Sequence, residues 1–93
     1  MYNIHLHSKF RRDISRMISK GKSLEKISNI IEQLSKGIRL EDKYNEHFLK
    51  WHNKYPNGTK ECHIEPDWLL IYKFNKPNFT LHLLRTGSHD DLL

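Results

Sequence analysis

The 93-residue sequence lacks the features that define several broad classes of protein. Cys62 is the only cysteine, so no internal disulfide can form. No apolar stretch is long enough to span a membrane. The opening residues, MYNIHLHSKFRRD, contain no apolar run of the kind that signal peptides carry. Internal repeats and low-complexity segments are also missing. We therefore expect one cytoplasmic domain, comprising residues 1–93, in a reducing setting.

Positive charge is present in excess and is unevenly distributed. The formal net charge is +5, and the sequence pI is about 9.4. Residues 1–60 contain 13 Lys or Arg and 6 Asp or Glu, whereas residues 61–93 contain 3 and 5. A basic segment followed by one rich in acidic and histidine side chains suits a protein that binds a polyanion and acts on it.

The first 37 residues predict a short strand and a helical hairpin. The stretch YNIHLH (residues 2–7) alternates apolar and polar side chains, which is typical of a half-buried strand. We expect Ser8 to cap a first helix that ends at Gly21. Ser23 is expected to begin a second amphipathic helix, which Gly37 terminates.

The remainder predicts a long loop and then three strands. Residues 38–59 show no sustained period, and we expect a loop there with one helical turn around residues 44–49. Three apolar runs follow, at about 60–65, 67–74 and 79–86. The predicted fold class is therefore α+β: a strand, a helical hairpin and a three-stranded antiparallel meander, with the helices packed on one face of a small sheet.

Titratable side chains are concentrated in the segment ECHIEPDWLLIY, residues 61–72. Strand alternation predicts that four of them share one side: Glu61, His63, Glu65 and Asp67. In the last strand, the same rule places Arg85 on one face with Leu81 and Leu83. Gly87 permits a sharp change of direction that could bring His89 back over the end of the sheet.

An open sheet face could thus gather five chemically active side chains: His47, His63, Asp67, Arg85 and His89. Histidines titrate near neutral pH, so one can accept a proton while another donates one. Arginine binds phosphate in a bidentate manner, and a carboxylate can orient an imidazole. These groups suffice for RNA cleavage with the ribose 2′-hydroxyl as internal nucleophile, without a metal or other cofactor. A metal site built from His47, His63, Asp67 and His89 is an alternative, but no closely spaced ligand pair supports it.

The segments ECHIEPDWLLIY and LLRTGSHDDLL together resemble the YafQ branch of the RelE/ParE superfamily, the toxins of bacterial type II toxin–antitoxin modules. The order of strands and helices and the basic N-terminal part agree with that family's fold. The resemblance implies an mRNA endonuclease (an mRNA interferase) that acts on messages in the ribosomal A site. It also implies a cognate antitoxin, a small DNA-binding protein with a partly disordered acidic segment. A non-nuclease toxin like those of the ParE branch, or another protein-binding module, is the alternative.

The same resemblance assigns roles to individual residues. His89 matches the family's principal acid–base histidine, and Arg85 matches the arginine that holds the scissile phosphate. The other catalytic or substrate-orienting positions are His47, His63 and Asp67. Three positions are candidates for RNA binding: Lys60, where the family usually has arginine, Trp68, and Leu93, where it usually has an aromatic residue. Five residues are expected to have no catalytic role: His5, His7, His52 and His82 as surface positions, and Cys62 as a core residue.

Overall fold

A five-stranded sheet carries two helices on one of its faces. The computed structural model describes residues 1–93 of the chain. Its elements are β1 (Asn3–Leu6), α1 (Ser8–Ser19), α2 (Leu24–Ser35), a 3-10 turn (Asp42–Tyr44), β2 (His47–Phe48), β3 (Lys60–Glu65), β4 (Trp68–Asn75), β5 (Thr80–Gly87) and α3 (His89–Leu92).

The strands lie in the order β1-β5-β4-β3-β2. β1 pairs in parallel with β5, and every other neighbouring pair is antiparallel. This arrangement confirms the predicted α+β class, the helical hairpin and the meander of β3, β4 and β5. None of the helices has the length and apolar character needed to cross a membrane.

The helix boundaries follow the predicted signals, with one exception. The Ser23 hydroxyl accepts a hydrogen bond from the Lys26 backbone N–H at 3.2 Å and caps α2. Gly21 and Gly37 follow the two helices at φ of +89° and +73°, a left-handed conformation that glycine adopts without strain. The cap predicted at Ser8 is wrong: the N-cap residue of α1 is His7, and no side chain caps that helix.

Each face of the sheet buries its own apolar cluster. The larger cluster lies between the sheet and the helices and includes Trp68, Leu70 and Tyr72 of β4. On the opposite face, which we call the open face, Leu69, Ile71 and Leu92 form a smaller cluster, against which Tyr55 and Leu84 pack. The Tyr55 hydroxyl donates a hydrogen bond to the Leu92 carbonyl oxygen at 2.8 Å. The loop around Tyr55 therefore covers part of the open face and holds the C-terminal turn.

The segment predicted as a long loop contains an edge strand. β2 pairs with β3 through His47–Glu61 and Phe48–Lys60, and the helical turn lies earlier than predicted, at Asp42–Tyr44. The expected helical turn at residues 44–49 is therefore wrong. Two residues are too few to produce a periodic pattern, and the strand exists because β3 offers it a hydrogen-bonding edge. The short helix α3 was also not predicted.

A β-bulge reverses the expected direction of Arg85. Ile71 is paired with Arg85, whereas its neighbour Tyr72 is paired with Leu83, so Leu84 is an extra residue in β5. Because a one-residue offset moves the following side chains to the other face, Arg85 lies on the open face with Ile71. The prediction that Arg85 shares a face with Leu81 and Leu83 is therefore wrong.

Asp13 of α1 joins this bulged end of β5 to the helical layer. The residue is 2% exposed. Its carboxylate accepts hydrogen bonds from the Arg85 side chain through Nε and Nη2, and from the Thr86 backbone N–H at 3.2 Å. Arg16 adds a further bond from Nη2 at 3.1 Å. A buried carboxylate with this many donors fixes the position of α1 relative to β5.

We expect Asp13→Asn to lower the free energy of unfolding by about 3 kcal/mol, because the substitution leaves the Arg85 guanidinium partly buried without its counter-charge. Urea unfolding followed by circular dichroism measures the change. Asp42→Asn is the matched control, because Asp42 pairs with Arg39 only at the surface, at 3.5 Å, and should change stability by less than about 1 kcal/mol. Equal effects of the two substitutions would contradict the structural role given to Asp13.

Candidate active site

Five titratable side chains form a continuous row at one end of the open face: His47, Glu61, His63, His89 and Asp67. Glu61 and His63 come from β3, and β2 contributes His47 opposite Glu61. Asp67 lies in the turn between β3 and β4, and His89 begins α3. The structure thus brings together four of the five residues that the sequence predicted for the site.

Glu61 occupies the centre of the row, and sequence reasoning did not assign it a role. Its Oε1 lies 3.0 Å from Nε2 of His47 and 3.7 Å from Nε2 of His63. The residue is only 5% exposed, and its Oε2 is buried without a hydrogen-bond partner. A buried carboxylate oxygen that accepts no hydrogen bond lowers the stability of the fold, so such an atom calls for an explanation such as a catalytic role. The sequence did contain a signal for Glu61, because a residue two positions before His63 in a strand lies on the same side as His63.

His89 and Asp67 form the other end of the row. Nδ1 of His89 lies 2.8 Å from Oδ1 of Asp67, and the His89 backbone N–H donates to the same oxygen at 3.1 Å. These bonds from His89 hold the pKa of the Asp67 carboxyl below its usual range. Because Nδ1 is bonded to a carboxylate, Nε2 is the ring nitrogen that remains for a substrate. Ser88 supports this geometry by capping α3, where its hydroxyl accepts from the Asp91 N–H at 3.2 Å.

His63 lies between the two ends. Its ring meets that of His89 edge to face with centroids 5.4 Å apart, and the centroid of His47 is 6.4 Å away. Both ring nitrogens of His47 have a neighbour: Nε2 faces Glu61, and Nδ1 lies 2.7 Å from the Asn45 carbonyl oxygen. His63 makes no side-chain hydrogen bond, and its Nε2 faces the Glu61 carboxylate at 3.7 Å.

Arg85 is on the same face but one strand away from the row. Ile71 of β4 is paired with Glu61 on one side and with Arg85 on the other. The Cα atoms of Glu61 and Arg85 are therefore two strand spacings, or about 10 Å, apart. The bonds to Asp13 raise the pKa of Arg85. Burial raises the pKa of Tyr55, whose ring packs on the open face. A cleft beside Arg85 is also lined by Lys9 and Lys54.

Glu65 does not join the row, contrary to the prediction. The register shifts between His63 and Glu65, so the Glu65 side chain lies on the helical side. There it accepts hydrogen bonds from Lys22 at 2.7 Å and Lys26 at 2.9 Å. These bonds lower the pKa of Glu65. Glu65 therefore connects the sheet to the helical hairpin.

Of the three residues predicted to bind RNA, Trp68 and Lys60 lie away from the row, whereas Leu93 follows the helix that begins with His89. Trp68 is 0% exposed and its indole N–H donates to the Thr86 hydroxyl at 2.9 Å, so no base can stack on it. Lys60 is paired with Tyr72 on the helical face, where its ammonium lies 3.5 Å from Glu46. Leu93 is 40% exposed, next to α3. The structure contradicts direct stacking on Trp68, and it places Lys60 on the face opposite the histidines.

Two further side chains bear on what the site can do. Cys62 is fully buried, and burial raises the pKa of its thiol to about 12, which fits the predicted core role rather than a nucleophile. Trp51 is 80% exposed in the loop that contains Tyr55. An exposed aromatic ring of this kind suits base stacking, but sequence reasoning gave it no role because the segment shows no periodicity.

The row places carboxylates beside imidazoles, an arrangement suited to proton transfer. In the present side-chain positions, no three His, Cys, Asp or Glu side chains converge on one point. Three of the four residues of the alternative metal site are in ion pairs: His89 with Asp67, and His47 with Glu61, which is not one of the four. An imidazole beside a buried carboxylate, a second imidazole held by Asp67 and an arginine on the same face are the parts of an acid–base site for phosphodiester chemistry.

Residues 2–93 match the model of a family described as the bacterial toxin of type II toxin–antitoxin systems, YafQ. Because the match covers almost the whole chain, this protein belongs to the YafQ toxin family. The resemblance identified in the sequence is thereby confirmed.

Individual relatives agree with this assignment. The mRNA interferase toxin YafQ of Escherichia coli strain B / BL21-DE3 is 30% identical over 88 residues, which is 94% of this chain and 90% of the relative. A metal-bound toxin from Helicobacter pylori has a TM-score of 0.92 at 33% identity, with 100% of each chain covered. The structure of the E. coli DinJ–YafQ complex gives a TM-score of 0.86 at 29% identity and covers 100% of this chain and 99% of that chain. These structures support the fold described above.

Proposed function

We propose that this toxin is an endoribonuclease that cleaves mRNA in the ribosomal A site by metal-independent histidine acid–base chemistry. The observation that carries the proposal is the row His47–Glu61–His63–His89–Asp67 on the open face. The E. coli relative named an mRNA interferase supports the reaction class. The ribosomal setting rests on the family resemblance.

In the proposed reaction, His63 removes the proton from the ribose 2′-hydroxyl, and the resulting oxygen attacks the adjacent phosphorus. The neighbouring Glu61 carboxylate, 3.7 Å from Nε2 of His63, stabilises the imidazolium that forms. His89 donates a proton from Nε2 to the departing 5′-oxygen. Asp67 orients the His89 ring through Nδ1 and compensates its positive charge.

The charge that develops on the phosphate needs a cation, and we assign this role to Arg85. Asp13 engages Nε and Nη2 of Arg85, which leaves the other N–H groups of the guanidinium for a phosphate oxygen. Asp13 thus acts as a positioning residue for Arg85. Lys9 and Lys54 in the same cleft extend the positive surface along which an RNA backbone could lie.

We expect His89→Gln to reduce the rate of RNA cleavage about a hundredfold or more, because the leaving oxygen loses its proton donor. Single-turnover cleavage of a message bound to ribosomes measures the effect, and growth arrest at matched expression provides a second readout. The fold should be unchanged, since the His89 side chain is 46% exposed. His52→Gln is the matched control because His52 lies outside the row. Full toxicity of the His89 variant would refute the assignment of His89.

We expect a single 2′-deoxy substitution at the cleaved nucleotide to block the reaction, because the nucleophile belongs to the substrate. The products should carry a 2′,3′-cyclic phosphate or 3′-phosphate and a 5′-hydroxyl, which end-labelling and mass spectrometry can identify. At constant Mg²⁺, which keeps the ribosome assembled, cleavage should proceed equally with and without a chelator selective for transition metals. Products with 5′-phosphate ends, or loss of activity in the chelator, would instead indicate a water nucleophile activated by a metal.

The partner that restrains this activity is proposed to be a cognate antitoxin. The DinJ–YafQ complex is the example among the similar structures. Seven basic side chains lie along the helical hairpin: Lys9, Arg11, Arg12, Arg16, Lys20, Lys22 and Lys26. The apolar side chains Ile18 and Leu24 are 39% and 57% exposed on the same two helices. A disordered acidic segment that folds on binding could cover this combination of charge and apolar surface.

We propose that the antitoxin inhibits mainly by its size, which keeps the bound toxin out of the ribosome, and in part by distorting the candidate active site.

We expect the small protein encoded immediately upstream to co-purify with this chain and to relieve its toxicity. Electrostatic attraction should make the association rate fall as salt is raised. A tag on one partner and stopped-flow mixing at two salt concentrations measure both effects. Failure to co-purify together with unrelieved toxicity would exclude this mode of control, even if RNA cleavage is observed.

A further inference from the structure

A second group of histidines lies on the open face, away from the candidate active site. The group consists of His5, His7 and His82, and we call it the triple-histidine cluster. His5 belongs to β1 and is paired in register with His82 of β5. His7 follows two residues after His5 and therefore points to the same side. None of the three takes part in the proposed cleavage.

The spacing of the three rings matches that of imidazoles around a single metal ion. The ring centroids are 4.6 Å apart for His5–His7, 5.1 Å for His7–His82 and 5.5 Å for His5–His82. When three imidazoles bind one tetrahedral zinc ion through bonds of about 2 Å, their ring centres are about 5 Å apart. The backbone therefore already holds the rings at the separation that coordination requires.

The ring nitrogens currently face one another. Nε2 of His7 lies 2.9 Å from Nδ1 of His82, so one of these nitrogens carries a proton that it donates to the other, and the nitrogens of the three rings do not converge on one point. An ion would displace that proton, and the rings would need only to rotate about their own bonds. No carboxylate forms an ion pair with any ring of the cluster. All three imidazoles therefore remain available as ligands.

The surrounding charge is positive but lies at the margin of the cluster. His7 shares a cleft with Lys9, and His82 is paired across the sheet with Lys73. The Lys73 side chain ends beside Gly58, in the loop above the sheet. These ammonium groups weaken the attraction for any cation through screened repulsion. They do not replace the imidazoles, which are the ligands that zinc, nickel and copper prefer.

We propose that His5, His7 and His82 form a binding site for a first-row transition-metal ion such as Zn²⁺, with a fourth coordination position open to water. The bound ion would connect β1 to β5, which otherwise pair through only four residues of each strand. The site lies apart from the row of the candidate active site, while His7 lines the same cleft as Arg85. His82 is paired with Lys73 and His63 with Leu69, two positions of β4 that are about 13 Å apart along the strand.

The test is a titration of the full, tag-free chain with Zn²⁺, followed by isothermal calorimetry and by NMR of the ¹⁵N-labelled imidazoles. We expect one ion per chain, and we expect the signals of the three cluster histidines to shift first. Mg²⁺ is the control ion, because imidazole is not one of its preferred ligands. The NMR experiment locates the ion in the unmodified protein, so it does not depend on the folding of any variant.

Three variants separate the possible sites. The double substitution His5→Gln with His82→Gln should weaken Zn²⁺ binding at least about tenfold and leave RNA cleavage within about twofold. The matched control, His52→Gln, should bind as the unmodified chain does. The double substitution His63→Gln with His89→Gln should also retain binding.

Two outcomes would overturn the proposal. One is the absence of saturable Zn²⁺ binding. The other is binding that is lost with His63 and His89 but kept without His5 and His82, which would place the ion in the candidate active site. Because the readout is metal binding, neither outcome bears on whether the chain cleaves RNA.

Discussion

The buried carboxylate of Asp13 is the interaction on which the arrangement of the open face depends. It accepts hydrogen bonds from Arg85, Thr86 and Arg16, and it lies where the bulge in β5 turns the strand. A charge in that position is tolerable only because several donors surround it. The same bonds fix Arg85 on the open face and set the end of β5, from which the chain continues into α3 and His89. A contact between a helix and a strand thus determines where α3 and its first residue, His89, begin.

The candidate active site itself is built from pairs of unlike groups. Asp67 restrains His89, and Glu61 faces both His47 and His63. Each imidazole thus has a carboxylate neighbour that can compensate its positive charge, although the rings of His63 and His89 also meet edge to face. The buried, unpartnered Oε2 of Glu61 shows that the arrangement is not optimised for stability alone. Such a carboxylate beside an imidazole is what a proton-accepting pair requires.

The open face carries two histidine groups that the fold keeps apart. The triple-histidine cluster lies where β1 meets β5, whereas the candidate active site extends from β2 to α3. Tyr55 and the small apolar cluster that it covers occupy the surface between them. Seven histidines in one short chain therefore do not form one continuous surface. Their chemistry depends on which neighbours the sheet register gives them.

The sequence by itself determined the α+β class, the helical hairpin, and the motif that contains His63, Asp67 and His89. These features were accessible because they rest on local periodicity, on glycine and serine at helix ends, and on short segments that resemble a family. Only the tertiary structure decided the remaining features: the two-residue strand β2, the bulge that turns Arg85 to the open face, and the separation of Glu65 from His63. It also decided that Trp68 is a core residue and that Glu61 faces two histidines. The physical reason is that each of these features depends on a partner that is distant in the sequence. In addition, a single extra residue in a strand moves the side chains that follow it to the other face of the sheet, and the pattern of residue types does not reveal this.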